Sequence, residues 1–247
     1  MTGKKIKIAL CLSGEPRSSM ASFPYVYEAF LKDNEIYDVE VYCHSWKGFR
    51  ALDLYKPKNL KIEPINEPLF IDNILDNIQK YPTKLLTLKS ISDSFTSNTS
   101  LLKNSILMLS SIKKSFDLIQ EPYDVYIRCR YDIFFRSKFW LFPILNDLIN
   151  NKYDMFIPLR YAYKPTPNNY NDQISIGNYS SMEIYANLID NLNTLVNNTD
   201  EWNPEVWLKY WLDFNKVNIS QHFVDYTLIR QSSLITNEEY YHNFLDE

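Results

Sequence analysis

The chain has 247 residues, 45% hydrophobic and 23% charged, enough to bury a core without disulfides or a structural metal. Its net charge of −4, from 26 basic and 30 acidic side chains, lacks the basic excess with which proteins grip nucleic acid or acidic membranes non-specifically. The three cysteines, Cys11, Cys43 and Cys129, contain no C-x-x-C pair, which excludes a zinc ribbon or dithiol motif and reads as small buried hydrophobes.

Met1 to Lys7 leads into a strand without the apolar stretch and cleavage site of a secretory signal. No apolar run is long enough to span a bilayer, so the expected location is cytoplasmic. Lys5–Leu12 (KIKIALCL) predicts a central parallel strand that ends in the loop Ser13-Gly14-Glu15-Pro16-Arg17. Ser22 or a neighbour is expected to cap the next helix, with Pro24 in its first turn and Val26, Ala29 and Phe30 on its apolar face. Val39–Cys43 predicts a second strand, followed by His44-Ser45-Trp46, and Leu60–Ile62 a short third. Residues 64–99 read as loops around one short helix, and Leu101–Ile119 as a long helix with Ile106, Leu109, Ile112 and Phe116 on one face.

Tyr123–Ile127 predicts a buried strand running into Arg128-Cys129-Arg130-Tyr131-Asp132. Met155–Pro158 and Gln173–Ile176 follow as strands, separated by a Pro-rich loop over 164–171. Ser180–Leu192 and Pro204–Leu212 read as helices, and Val217–Ile219 and Tyr226–Ile229 as late strands. The alternation predicts one α/β domain over residues 1–247, a mainly parallel sheet flanked by helices.

Ligands of such sheets bind beyond the carboxyl ends of the strands, where three polar clusters fall. After the first strand, Ser13 and Gly14 allow close backbone approach, and Arg17 offers a forked bond to phosphate. Arg128, Arg130 and Asp132 alternate along an extended chain and share a face. Two arginines and a carboxylate beside an apolar strand call for a polar partner: a diphosphate with Mg²⁺ or Mn²⁺ on Asp132, or a structural Arg–Asp network. His44 and Trp46 are candidates to line a nucleotide or sugar pocket, with a satisfied core histidine as the alternative for His44. Asp172 and Glu205 are the candidate general bases, although a loop-capping Asp and a first-turn helix Glu are ordinary roles for the same residues.

The order Ser-Gly-Glu-Pro-Arg, Cys-His-Ser-Trp, a long helix, Tyr-Asp-Val-Tyr-Ile-Arg-Cys-Arg-Tyr-Asp-Ile-Phe-Phe and Asn-Asp-Gln-Ile-Ser-Ile-Gly, over residues 6–215, resembles small GT-A glycosyltransferases. Such enzymes are found in large DNA viruses and bacterial surface-polysaccharide clusters. The resemblance implies a GT-A-like, Rossmann-like sheet, a nucleotide-sugar donor (a UDP- or GDP-sugar first), a glycan acceptor and a divalent metal. It places Asp132 at the metal-binding acidic motif, with Ser13, Gly14, Arg17, His44, Trp46, Arg128 and Arg130 around the donor. The sequence departs from Asp-x-Asp there, because Arg130 stands two residues before Asp132. Two other readings compete: a sulfotransferase-like enzyme, faintly echoed by Pro16-Arg17-Ser18-Ser19, and a non-catalytic sugar- or protein-binding domain.

Overall fold

The computed structural model describes residues 5–16, 18–32, 36–46, 50–63, 96–159, 169–199 and 203–229. Nine strands are described: β1 (Ile6–Ser13), β2 (Tyr37–Ser45), β3 (Asn59–Ile62), β4 (Val125–Arg130), β5 (Ile133–Phe135), β6 (Met155–Phe156), β7 (Ile174–Gly177), β8 (Ile219–Ser220) and β9 (Tyr226–Leu228). The helices are α1 (Ser19–Val26), α2 (Thr96–Phe116), α3 (Leu141–Ile149), α4 (Tyr179–Ala186), α5 (Leu192–Asn198) and α6 (Pro204–Phe214). Seven strands form one sheet in the order β3-β2-β1-β4-β7-β6-β8, and β5 pairs with β9 apart from it. Within the large sheet β7 alone runs against its neighbours. The fold is therefore α/β with a mixed, mainly parallel sheet, as the sequence predicts.

The sheet is buried on both faces, which explains the near-continuous apolar run of β1. Ile8, Leu10 and Leu12 pack with Val26, Phe30, Leu141 and Leu145 on one side. Ala9 and Cys11 pack on the other with Ile106, Leu109 and Ile112 of α2, Tyr185 of α4 and Trp207 of α6. All three cysteines are buried free thiols. No helix among the described residues is long and apolar enough to cross a membrane.

Three sequence expectations shift. The helix after β1 begins at Ser19, not near Ser22, and Pro24 lies in its interior. Ser22 instead turns its hydroxyl toward the carbonyls of Ser18 and Ser19 and to that of Tyr131 across the core. A proline there removes one backbone donor, and the chain continues as a wider π-turn over Tyr27–Leu31. Helix α2 starts five residues early, at Thr96, because a growing helix recruits flanking Ser and Thr at little cost. Strand β4 runs to Arg130, because β1 and β7 pair with it from both sides. Arg128 is therefore within the sheet and not beyond its end.

Candidate functional site

The polar clusters meet through strand register. Ser13 of β1 lies beside His44 of β2 on one side and Arg130 of β4 on the other. Arg130 in turn donates its backbone N–H to the Gln173 carbonyl at 3.2 Å. His44, Ser13, Arg130 and Gln173 thus make one row across four strands, and Cys11, Arg128 and Ser175 make the row behind it. Alternation turns both rows toward the side where Cys11 packs against α2 and α4.

Arg128 is only 1% exposed. Its Nη1 donates to the Asp172 carbonyl, which also accepts from the Tyr185 hydroxyl at 3.0 Å. Among the described residues its Nε and Nη2 have no hydrogen-bond partner, and neither do Ser13 Oγ and Gln173 Oε1 nearby. A buried guanidinium with two idle N–H groups is costly, since each has given up water for nothing. Arg130 behaves differently: its Nε and Nη2 grip both oxygens of Asp132, at 2.7 and 2.9 Å. Burial works against the Arg130 charge, but the hydrogen bonds to Asp132 and the charges of Asp132 and Asp172 outweigh it and raise its pKa.

Asp172 joins this cluster. Asn171 Oδ1 accepts from the Gln173 N–H at 2.8 Å, a tight turn that sets Asp172 at the start of β7. Its carbonyl is fully used, and its carboxylate is close enough to act electrostatically on Arg130. Glu205 takes its ordinary helix role in the first turn of α6, capped by Asn203 at 2.9 Å. Its carboxylate accepts from Asn169 at 3.3 Å, and its carbonyl from the Tyr170 N–H at 3.1 Å. These bonds join α6 to the segment leading into Asp172 and do not involve Arg128 or Arg130.

His44 is wholly buried, with both ring nitrogens engaged: Nδ1 with Ser111 Oγ at 2.8 Å and Nε2 with Glu63 at 3.4 Å. Donor logic orders this chain. The Glu63 carboxylate can only accept, so the neutral ring carries its proton on Nε2 and accepts at Nδ1 from Ser111 Oγ, which itself accepts from the Gly14 N–H at 2.9 Å. The Nε2 proton then goes to Glu63. Burial lowers the His44 pKa to about 4, against the pull of Glu63, and the imidazole is neutral at pH 7. Burial raises the Glu63 pKa, but hydrogen bonds from Lys114 and Lys61 override it and bring it to about 2. Trp46 packs edge-on against His44 at 4.6 Å and donates to the Leu107 carbonyl at 3.0 Å. The pair fastens β2 to α2, and through Ser111 it fixes Gly14, whose φ of +113° suits glycine.

The expected divalent metal does not fit this donor set. Both Asp132 oxygens are bonded to Arg130, and the carboxylate is 2% exposed. Among the described residues no three His, Cys, Asp or Glu side chains are grouped to hold an ion, whereas Mg²⁺ or Mn²⁺ needs several oxygens. Arg17 lies outside the described residues, as do most of the 64–99 segment and residues 164–168 of the Pro-rich loop. Sequence reasoning missed Glu63, Ser111, Gln173 and Tyr185. Ser111 lies off the face that Ile106, Leu109, Ile112 and Phe116 form on α2 and, like Glu63 and Tyr185, carries no local signal; Gln173 falls within the Asn-Asp-Gln stretch but has no role assigned from sequence.

No protein-family model matches the sequence, and no curated protein matches it. Solved structures similar to this chain include a glycosyltransferase involved in glycosylation of the major capsid of PBCV-1, at 12% identity and a TM-score of 0.37. That match covers 89% of this chain and 82% of the other. A putative glucose-1-phosphate thymidylyltransferase from Bacillus anthracis, in complex with a sucrose, is similar at 9% identity and a TM-score of 0.46, over 94% and 93% of the two chains.

Proposed function

We propose that this chain is a glycosyltransferase, a single catalytic domain that moves a sugar from a nucleoside-diphosphate sugar to a hydroxyl of a glycan acceptor. The observation that carries the reading is Arg128: a buried cation with Nε and Nη2 unmet among the described residues, one row behind the polar edge of a mainly parallel sheet. A diphosphate supplies the acceptors it lacks. UDP- and GDP-sugars are the first donors to examine.

The chemistry follows from charge. The acceptor oxygen bonds to the anomeric carbon while the bond from that carbon to the diphosphate oxygen breaks, and the electron pair leaves with the diphosphate. Arg128 and Arg130 offer fixed N–H donors to that growing negative charge. Asp172 takes the acceptor proton as general base in an inverting transfer, and Glu205 positions the segment that carries Asp172.

A panel of nucleotide sugars, scored for free diphosphate released by slow hydrolysis, tests the reading. At least one donor should be cleaved. Asp172→Asn should lower transfer to an acceptor about 10²- to 10⁴-fold while leaving diphosphate binding intact. A panel with no hydrolysis, together with no thermal shift from any nucleoside diphosphate, sinks it.

A further inference from the structure

We infer that the donor diphosphate is held by directed N–H groups of Arg128 and Arg130 in place of a divalent cation, so that donor binding needs no metal. The inference rests on the glycosyltransferase reading and sharpens it. Arg128 and Arg130 stand two residues apart on one strand, about 7 Å between Cα atoms, on the same face. Each has an edge of its guanidinium unused. Arg128 has Nε and Nη2 unmet, while Arg130 spends Nε and one proton of Nη2 on Asp132, and Nη1 has no partner among the described residues.

A cation at Asp132 would have to break both of those charge-assisted bonds. It would also set two positive charges beside Arg130, already a cation in a mostly buried site, with Arg128 close behind. The same carboxylate does useful work where it is. It locks the Arg130 fork from behind, so that the free edge points in one direction before any ligand arrives. The Arg130–Asp132 pair is net neutral and the Asp172 carboxylate nearby offsets Arg128, so the help given to the diphosphate is directional: preset N–H groups act where charge develops. Ser13 Oγ, unpartnered and 1% exposed in the same row as Arg130, is one more donor for a phosphate oxygen.

The test is calorimetric titration of the whole protein with UDP and GDP, once in EDTA and once with Mn²⁺. The dissociation constant of the diphosphate that binds should agree within about threefold between the two buffers, a difference under 1 kcal/mol. Arg130→Ala should weaken it at least about tenfold in both. Arg130→Lys, which keeps the charge but loses the fork, should also weaken it, and thermal melts check that both variants fold. Binding that appears with Mn²⁺ and vanishes in EDTA overturns the inference and leaves the glycosyltransferase reading standing. Metal-free binding undiminished in Arg130→Ala overturns the role given to Arg130. No binding in either buffer overturns the reading and the inference together.

Discussion

Two neighbouring rows of the same four strands have opposite fates. Cys43, Leu12, Cys129 and Ile174 form one row, all fully buried and packed in the apolar core. His44, Ser13, Arg130 and Gln173 form the next, one residue along each chain and on the opposite face. Burial raises the Cys43 and Cys129 thiols to about 12, so the first row carries no reactive nucleophile near neutral pH. The second row carries charges, hydrogen-bond relays and unmet polar atoms. A period of two thus lets four short strands build an apolar core and a buried polar cluster from adjacent letters of the sequence.

The first way to break this comparison is to truncate one member of each row. Leu12→Ala should cost about 2–5 kcal/mol in denaturant unfolding, through lost burial and the cavity left behind. Ser13→Ala should change stability by no more than about 0.5 kcal/mol, since its hydroxyl has no partner to lose. Equal losses in the two variants would mean that the polar row is structural.

The same comparison shows what the sequence makes legible. β1 is readable because an apolar β-branched run stops at Ser13-Gly14, and Arg128, Arg130 and Asp132 are readable as one face because alternation is local. The end of β4 is not readable. Two arginines look like a strand terminus until β1 and β7 are known to pair on both sides of them. Glu63, Ser111 and Gln173 are illegible for a similar reason: their partners His44, Gly14 and Arg130 are distant in sequence, and a relay of single hydrogen bonds leaves no period behind. Pro24 misleads in the other direction, since a proline typical of first turns is tolerated in the helix interior where a π-turn follows.

The second test separates His44 from the arginines in its row. Its folded pKa of about 4 lies below the ordinary value of 6.5, so the unfolded chain takes up its proton first as pH falls. The neutral imidazole therefore contributes fully above pH 6.5, and that contribution is lost between about 6.5 and 4, by up to about 3 kcal/mol. Glu63, lowered to about 2, adds a second loss below pH 4.5. His44→Gln should lower stability at pH 7 yet flatten the slope between pH 6.5 and 4, and leave the lower limb in place. An unchanged slope in urea melts across that range would show that another group titrates there.

The most telling variant is one whose expected change in stability is small and of unusual sign. Arg128→Met keeps an unbranched apolar stem, two atoms shorter, and removes the buried cation. The bond lost is the one to the Asp172 carbonyl, which still accepts from Tyr185. Two unmet N–H groups go with it, each a burden on the free protein. The variant should be as stable as the parent or more so, by about 1 kcal/mol, although most truncations at 1% exposure destabilise. Stabilisation by a nucleoside diphosphate should disappear at the same time, because the proposed donor site loses the N–H groups of Arg128. Thermal melts with and without diphosphate read both effects on one sample. A variant that melts well below the parent, yet still gains from diphosphate, would return Arg128 to the structural row.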